Sequence, residues 1–475
     1  MSGLALTPEN LGARGRLVLQ GGLAFGLLLV LYLTWSAPDL VVFLPIVLLG
    51  GVGAWYLFRH PLLNLCVVLG GFAIVADFEE GLQLSEVLYG LYLITFLAHW
   101  FVTRGYLYRE RIFVDRVDRA LALFLCWMTG SLFLTLLFQH ALGIAFREWS
   151  TFILLALYFP VKEACIRYRR GPQAILGVLL FLGVFVALRN LLNFQEIVVS
   201  ATYAWQIARG RVTTNEVLLL LPALAALVLL LHTNRRLGRA ILLGAFLLFF
   251  ASLILTQSRA YWLDFALGTI LLFFLVRRAE RLRLISLSLA GLAGTIVVGL
   301  LLFGDLIWLM AYGLADRLLS LLTATQEDIS LINRFYESRA AWHLILQNPV
   351  LGYGLGARYR VFDLISDTTF FKPFIHNSFL LIWFKFGLVG LVALLYTWGG
   401  CLWMGLRASI RTALTSRDRI YALIATVGLG SLLPSTYTSL QFYMSDTALA
   451  FALLAGWAAG LYHRSTALHA PEPSR

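Results

Sequence analysis

Charge is scarce in this chain. Of its 475 residues, 13% are Asp, Glu, Lys or Arg and 60% are hydrophobic, and the mean hydropathy is +0.82. An average soluble domain carries about 25% charged residues. The composition therefore excludes a water-soluble globular fold and is typical of a polytopic membrane protein.

Cysteines and the common catalytic motifs are also scarce. Three of the four cysteines fall in apolar runs and Cys165 lies near the predicted inner surface, so neither a disulfide nor a cysteine-rich metal site is indicated. The sequence has no Walker loop, no HExxH and no GxSxG motif. ATP-driven transport, zinc proteolysis and serine hydrolysis therefore lack support. No internal repeat is visible, which disfavours many transporter folds.

Apolar runs fill most of the chain. We predict an all-α, polytopic integral membrane protein with about 14 transmembrane helices, within a range of about 12–14. The first run, at residues 15–36, lacks a cleavage site and is interpreted as a span. Residues 1–463 are predicted to form a single membrane domain, followed by a flexible cytoplasmic tail at 464–475. One large outer loop, at 304–376, is expected to carry short helices.

Positive charges predict the orientation of the chain. Basic clusters such as RYRRG and RRAERLR occur at every second connection, and loops enriched in Lys and Arg face the cytoplasm. Both termini are therefore expected inside, with the loop at 304–376 outside. The net charge of +12 reflects this distribution, and there is no extended basic domain that would indicate nucleic acid as a partner.

The long loop at 304–376 concentrates candidate functional residues. Within it, residues 331–347 have apolar side chains at helical spacing, and an Asn-Pro pair ends the run. On such a helix Arg334 and Ser338 share one face, with Arg339 about 100 degrees round. The glycines of the following VLGYGLG stretch allow the backbone to approach a neighbouring group closely.

Arg259 lies at the predicted outer junction of two spans, in the stretch TQSRAYWLDF. A guanidinium group can bind a diphosphate through two parallel hydrogen bonds. The alternative is that Arg259 extends to lipid head groups, as arginines near span ends often do. For Arg334 and Arg339 the corresponding alternative is a solvated loop charge.

His376 opens the apolar run after the loop. Histidine has an ordinary pKa of about 6.5 and can accept a proton near neutral pH, so His376 is a candidate general base. A structural histidine at the interface is the alternative. Asn377 is a candidate substrate-binding residue, although capping a helix is a more usual role for asparagine at this position.

Additional residues are candidates for binding an anionic substrate, and these are Arg189, Arg209, Arg211 and Tyr336. Arg189 falls inside a predicted span, where a charge usually faces a cavity or a partner. Its alternative role is an ion pair with Glu196 or Glu216.

Three segments of the chain resemble the O-antigen ligase and polymerase superfamily of membrane glycosyltransferases. SRAYW is similar to that family's Ser-Arg element at an outer span boundary. Arg334 and the later NPVLGYGLG resemble an Arg-initiated helix that ends at a Pro-x-x-Gly-x-Gly turn. HNSFLLIWFKFG is similar to the ligase His-Asn-Ser stretch, with ten residues between His376 and Gly387. Ser338 stands where ligases often have Leu or an aromatic residue, so Arg339 remains an alternative to Arg334.

The resemblance implies transfer of a glycan from undecaprenyl diphosphate to an acceptor hydroxyl on the outer face of the bacterial cytoplasmic membrane. It implies inversion at the sugar and requires neither a cofactor nor a metal. In that scheme Arg259 with Arg334 or Arg339 stabilises the departing diphosphate, and His376 takes the proton of the acceptor.

The acceptor distinguishes two enzymes that share this donor. A ligase transfers to the lipid A core, and a polymerase extends O-antigen, capsule or exopolysaccharide. A ligase is favoured, because polymerases more often have two comparable Arg-bearing outer loops and the segment with Arg209 and Arg211 is short. A lipid-linked sugar transporter or flippase is disfavoured, because the candidate charges concentrate on one side of the membrane.

Overall fold

The computed structural model describes residues 44–75, 84–203, 215–304, 329–363, 367–410 and 414–467, with single positions at 206, 210–212, 308, 312 and 315. Two units are distinguished, Met1–Asn64 and Leu65–Arg475. In the first unit, the guanidinium of Arg59 stacks over the ring of Trp55, 3.9 Å from its centroid. The core and the candidate site belong to the second unit.

The described residues are almost entirely α-helical. The helices of the first half are α1 (Leu44–Arg59), α2 (Pro61–Gly71), α3 (Leu84–Phe101), α4 (Arg116–Gly130), α5 (Leu132–Leu137), α6 (Leu142–Ile153), α7 (Tyr158–Arg167), α8 (Gly171–Ser200) and α9 (Val217–His232). Those of the second half are α10 (Arg236–Leu255), α11 (Arg259–Leu275), α12 (Arg278–Phe303), α13 (Ile329–Gln347), α14 (Ser378–Ile410), α15 (Ser416–Ser431), α16 (Leu433–Thr438) and α17 (Ser445–Ala467).

Eight helical segments among the described residues are long and apolar enough to cross a membrane, or nine if one bent pair counts as a single span. The predicted all-α, polytopic membrane fold is therefore confirmed. The total of about 14 spans stays a prediction, and its first run at 15–36 lies outside the described residues. The predicted loop helix at 331–347 is observed as α13.

The core is built around α9 and α17. Helix α9 is apolar on all sides and buried along nearly its whole length, which is typical of a central helix. Helix α17 packs against α7 through small residues, since a Cβ added at Gly456 would lie 2.6 Å from the carbonyl oxygen of Tyr158. Small residues at such contacts let two backbones approach closely.

A buried polar network holds the carboxyl-terminal end of α17. The Lys162 ammonium donates to Asp118 at 2.6 Å and to Asp115 at 2.8 Å. His463 Nε2 lies 2.6 Å from the same Asp115 carboxylate. The members of this network come from α7, α17 and the start of α4, so the network joins these three helices. Removal of one partner would leave a buried charge uncompensated.

Helix α14 is broken at Gly387, whose φ is 63° and ψ is −169°. Few residues other than glycine adopt this conformation. A side chain at Gly387 would also clash with the carbonyl group of Val350. The glycine-rich turn at residues 350–356, which follows α13, therefore packs directly against the break.

Backbone hydrogen bonds satisfy the polar groups that the break leaves open. These are Tyr353 N to Phe384 O (2.9 Å), Gly354 N to Lys385 O (2.8 Å) and Leu388 N to Pro349 O (2.8 Å). The turn and the broken helix thus form one unit, and the end of α13 is fixed relative to the start of α14.

A buried ion pair locks the same junction to α6. Lys385 Nζ donates to the Glu148 carboxylate at 2.8 Å, and both side chains are almost completely buried. Lys385 also donates to Ala357 O at 2.7 Å, and Glu148 accepts from Gly356 N at 2.8 Å. Each charged group has several hydrogen-bond partners, as a buried ion pair requires.

An antiparallel hairpin of β1 (Tyr359–Asp363) and β2 (Thr368–Lys372) connects the turn to α14. Tyr359 and Val361 point into a small apolar cluster that includes Ala341 and Ile345 of α13. The hairpin therefore rests on α13, and the chain leaves it directly into His376.

Candidate active site

Three arginines from separate segments come together at one end of the helices. Arg259 is the first residue of α11, Arg334 lies in the second turn of α13, and Arg211 precedes α9. Partial desolvation lowers the pKa of Arg211, Glu216 raises it, and the charges of Arg334 and Arg259 lower it further. Arg334 and Arg259 therefore lie within electrostatic range of Arg211. Such a cluster suits a multiply charged anion.

Backbone carbonyls orient two of these arginines. Arg334 Nη1 donates to Thr438 O at 2.8 Å, at the end of α16. Arg211 Nε donates to Thr256 O at 3.4 Å, just before α11. A hydrogen bond to a carbonyl oxygen fixes the direction of a guanidinium group and adds no negative charge of its own.

Arg189 of α8 lies near an acidic residue of α17. Its charge acts on Asp446, in the first turn of α17. The sequence suggested Glu196 or Glu216 as the partner of Arg189, and that pairing stays a prediction. Asp446 also acts on Glu216, so Arg189 and the arginine cluster are linked through acidic residues.

His376 is paired with a carboxylate. Its Nδ1 lies 2.6 Å from Glu337 Oε2, and the other oxygen of Glu337 accepts a hydrogen bond from Lys372 Nζ at 2.8 Å. The Glu337 side chain is 1% exposed and that of His376 is 25% exposed. Burial raises the pKa of Glu337, but the hydrogen bonds and charges of His376 and Lys372 outweigh burial, so the net pKa is lowered. Glu337 is therefore ionised at neutral pH.

Helix α13 joins the arginine cluster to this pair. Arg334 and Glu337 are three residues apart and share one face of the helix. Arg339 and Tyr336 lie on the exposed side of the same helix. The structure thus brings Arg334, not Arg339, together with Arg211 and Arg259; the role of each arginine stays a prediction.

Asn377 caps α14. Its Oδ1 accepts hydrogen bonds from the backbone N–H groups of Phe379 and Leu380, both at 3.1 Å. The cap fixes the first turn of the helix and, with it, the backbone of the preceding His376. A role for Asn377 in substrate binding stays a prediction. Arg209 lies outside the described residues.

Comparison with known proteins finds a family similarity over part of the chain. Residues 244–395 match the family model described as O-antigen ligase. This segment is similar to the O-antigen ligase superfamily. An O-antigen ligase of Salmonella typhimurium (strain LT2) is 41% identical over 71 residues, which cover 13% of this chain. This chain matches 17% of that ligase's length.

The O-antigen ligase segment contains Arg259, Arg334 and His376, which sequence analysis singled out, and also Glu337 and Lys372, which it missed. One signal could have revealed Glu337. It lies in a stripe of α13 at spacing four whose other members are buried, and these are Asn333, Ala341 and Ile345. A carboxylate in a buried stripe needs a basic partner.

No cluster of three or more His, Cys, Asp or Glu residues that could hold a metal ion occurs in the part of the chain that the structure describes. The positively charged groups of the site are side chains of Arg and Lys.

Proposed function

We propose that this protein is a membrane glycosyltransferase that moves a glycan from undecaprenyl diphosphate to an acceptor hydroxyl, on the outer face of the cytoplasmic membrane. The proposal depends on one juxtaposition. A cluster of Arg211, Arg259 and Arg334 is joined through α13 to the carboxylate-paired His376. Both termini are cytoplasmic in this scheme, as the basic loops predict.

The arginine cluster has the charge that the departing group requires. As the bond between the sugar and the diphosphate breaks, negative charge accumulates on the diphosphate oxygens. Oriented guanidinium groups stabilise such charge in a site shielded from water. Backbone carbonyls orient Arg334 and Arg211, which supports this role.

In this proposal His376 acts on the acceptor. It takes the proton of the acceptor hydroxyl while the oxygen attacks the anomeric carbon from the side opposite the diphosphate. A single displacement of this kind inverts the configuration at that carbon. The exposed part of the His376 side chain leaves room for the acceptor.

A ligase that uses a lipid A core acceptor is the favoured activity, and the similarity to a Salmonella typhimurium O-antigen ligase supports it. A polymerase with the same donor is the second candidate. One observation favours the polymerase, because Arg211 from the second, short segment joins the cluster.

Incubation of the purified protein with undecaprenyl-diphosphate-linked oligosaccharide, with and without lipid A core, tests the proposal. Single transfer that depends on the acceptor would establish a ligase, and a ladder from donor alone would establish a polymerase. A folded sample that gives no product in either tube, but moves the donor across vesicle membranes, would support a transporter instead.

A further inference from the structure

We propose that Glu337 is a positioning residue that holds the proton of His376 on Nδ1 and presents Nε2 to the acceptor hydroxyl. The inference rests on the proposed function, in which His376 is the general base. It assigns a role to the Glu337 carboxylate, which acts through His376 and not on the donor or the acceptor.

The geometry of the pair defines the tautomer. Glu337 Oε2 lies 2.6 Å from His376 Nδ1, and hydrogen bonds to ionised groups are the short ones. An ionised carboxylate can only accept, so Nδ1 must be the donor. In a neutral imidazole the second nitrogen then carries the lone pair, and Nε2 is the atom that can accept a proton.

The surroundings keep the carboxylate ionised and in place. Lys372 Nζ donates to Glu337 Oε1 at 2.8 Å and to Asp363 at 2.9 Å. Glu337 comes from α13, His376 from the start of α14, and Lys372 and Asp363 from the hairpin. Three elements therefore converge on one buried carboxylate, and neither of its oxygens is left without a donor.

The proton balance of the transfer is complete with these groups. The acceptor oxygen forms a bond to the anomeric carbon as its proton moves to Nε2 of His376. The bond from that carbon to the diphosphate breaks, and its electron pair leaves with the diphosphate. The resulting imidazolium is stabilised by the negative charge of Glu337, which itself stays unprotonated.

A purely structural role makes a different prediction. If Glu337 served only to neutralise Lys372 under the hairpin, its loss would lower stability and leave the chemistry of His376 unchanged. The second oxygen, directed at Nδ1, is the feature that a structural role leaves unexplained.

The test is Glu337→Gln, assayed for transfer as a function of pH. A glutamine keeps the shape, but it removes the charge and can offer an N–H to Nδ1, which favours the opposite tautomer. We expect kcat to fall by about 100-fold or more, while KM for the donor changes by less than about threefold. The acid limb of the kcat profile should move to lower pH, because the variant lacks the negative charge that stabilises the imidazolium of His376. The neighbouring charges of Lys372 and Asp363 are unchanged in the variant. Glu337→Asp should recover part of the loss.

Asp367→Asn is the matched control, since Asp367 is an exposed carboxylate in the same hairpin. Its kcat should stay within about twofold of the wild type. A Glu337→Gln enzyme with normal kcat, or with a lower kcat and an unmoved pH profile, would overturn the inference even if His376→Ala is inactive. An active His376→Ala enzyme would overturn the proposed function itself.

A spectroscopic measurement decides the matter if the glutamine variant does not fold. The protein is labelled with ¹⁵N-histidine, and the NMR signals of His376 are assigned as those lost in His376→Ala. In the wild type, the ¹⁵N chemical shifts of its ring should report a proton on Nδ1 and a lone pair on Nε2. The reverse assignment would contradict the inference.

Discussion

At the residue scale, the site depends on guanidinium groups that come from separate segments and whose directions are fixed. Arg334 and Arg211 are each oriented by a carbonyl oxygen. Arg259 opens α11 and acts on the same cluster. A planar guanidinium can bind two oxygens of a diphosphate at once, whereas an ammonium is a point charge.

Replacement of Arg259 by lysine should therefore weaken donor binding although the charge is kept. We expect the affinity for undecaprenyl diphosphate to fall about tenfold, which corresponds to about 1.4 kcal/mol and to the loss of one charged hydrogen bond. This affinity is measured on the detergent-solubilised protein from the thermal shift that undecaprenyl diphosphate causes. Arg339→Lys, on the exposed side of α13, is the control and should bind as the wild type does. Wild-type affinity in Arg259→Lys would favour the alternative in which Arg259 binds lipid head groups.

Sequence motifs located some of these residues and missed others for a physical reason. Arg259 and His376 stand next to recognisable stretches, so their roles could be predicted. The partners of Glu337 could not be read from the sequence, because folding brings α13 against the hairpin and against His376, which is 39 positions away from Glu337. A periodic pattern gives the face of a helix but does not identify what packs on it.

At the scale of elements, the ion pair of Lys372 with Glu337 joins the hairpin to α13, and the ion pair of Lys372 with Asp363 joins the two strands of the hairpin. Burial lowers the pKa of Lys372, but its bonds to Glu337 and Asp363 outweigh burial and raise it. The pKa of Glu337 is lowered on balance. Both shifts show that the charged forms are favoured in the folded protein.

The stability of the folded protein should consequently depend on pH at both ends of the range. The contribution of Glu337 is fully present above its unfolded pKa of about 4.3 and is lost as pH falls through the lower folded value. That of Lys372 is present below about 10.4 and is lost as pH rises through the higher folded value. Thermal unfolding in detergent should show a plateau between these limits.

The variant Lys372→Met identifies the source of this dependence. It should lower the plateau and remove the part of the alkaline decline that belongs to the hairpin. Identical pH profiles for the variant and the wild type would show that the ion pairs do not contribute.

The break in α14 was visible in the sequence only as a spacing between His376 and Gly387. The structure gives that spacing a cause, since Gly387 has a positive φ and lies against the Val350 carbonyl. The spacing of His376 and Gly387 therefore marked a position where another part of the backbone approaches α14 closely. That part could not be predicted, because it follows the end of α13.

Gly387→Ala should destabilise the protein by roughly 2–5 kcal/mol, from backbone strain and the displacement of the turn. Gly399→Ala in the same helix is the matched control, because nothing lies within 4 Å of a Cβ at that position. It should be neutral or stabilising by roughly 0.5–1 kcal/mol. Equal unfolding midpoints for the two variants would contradict the account of the break.

At the scale of the whole molecule, composition alone predicted the all-α membrane fold, because so few charges cannot cover a soluble globule. The number of spans was harder to predict. Helix α9, for example, is 16 residues long and buried in the centre, so hydropathy does not distinguish a short span from a core helix.

In the second unit, charged residues of α8, α11, α13 and α17 and the His376 that precedes α14 belong to the candidate site. In the proposed function the donor is bound by the arginines and the proton is taken by His376, which are different side chains. Removal of His376 should therefore leave donor binding intact.

The most direct test of the account is single-turnover transfer by wild type and His376→Ala at matched donor occupancy. The protein is first loaded with undecaprenyl-diphosphate-linked oligosaccharide, and binding is measured before the acceptor is added. We predict that both proteins bind the donor with affinities within about threefold, and that transfer by His376→Ala is slower by about 10²–10⁴-fold. Transfer by His376→Ala at the wild-type rate would contradict the assignment of the base and the account built on it.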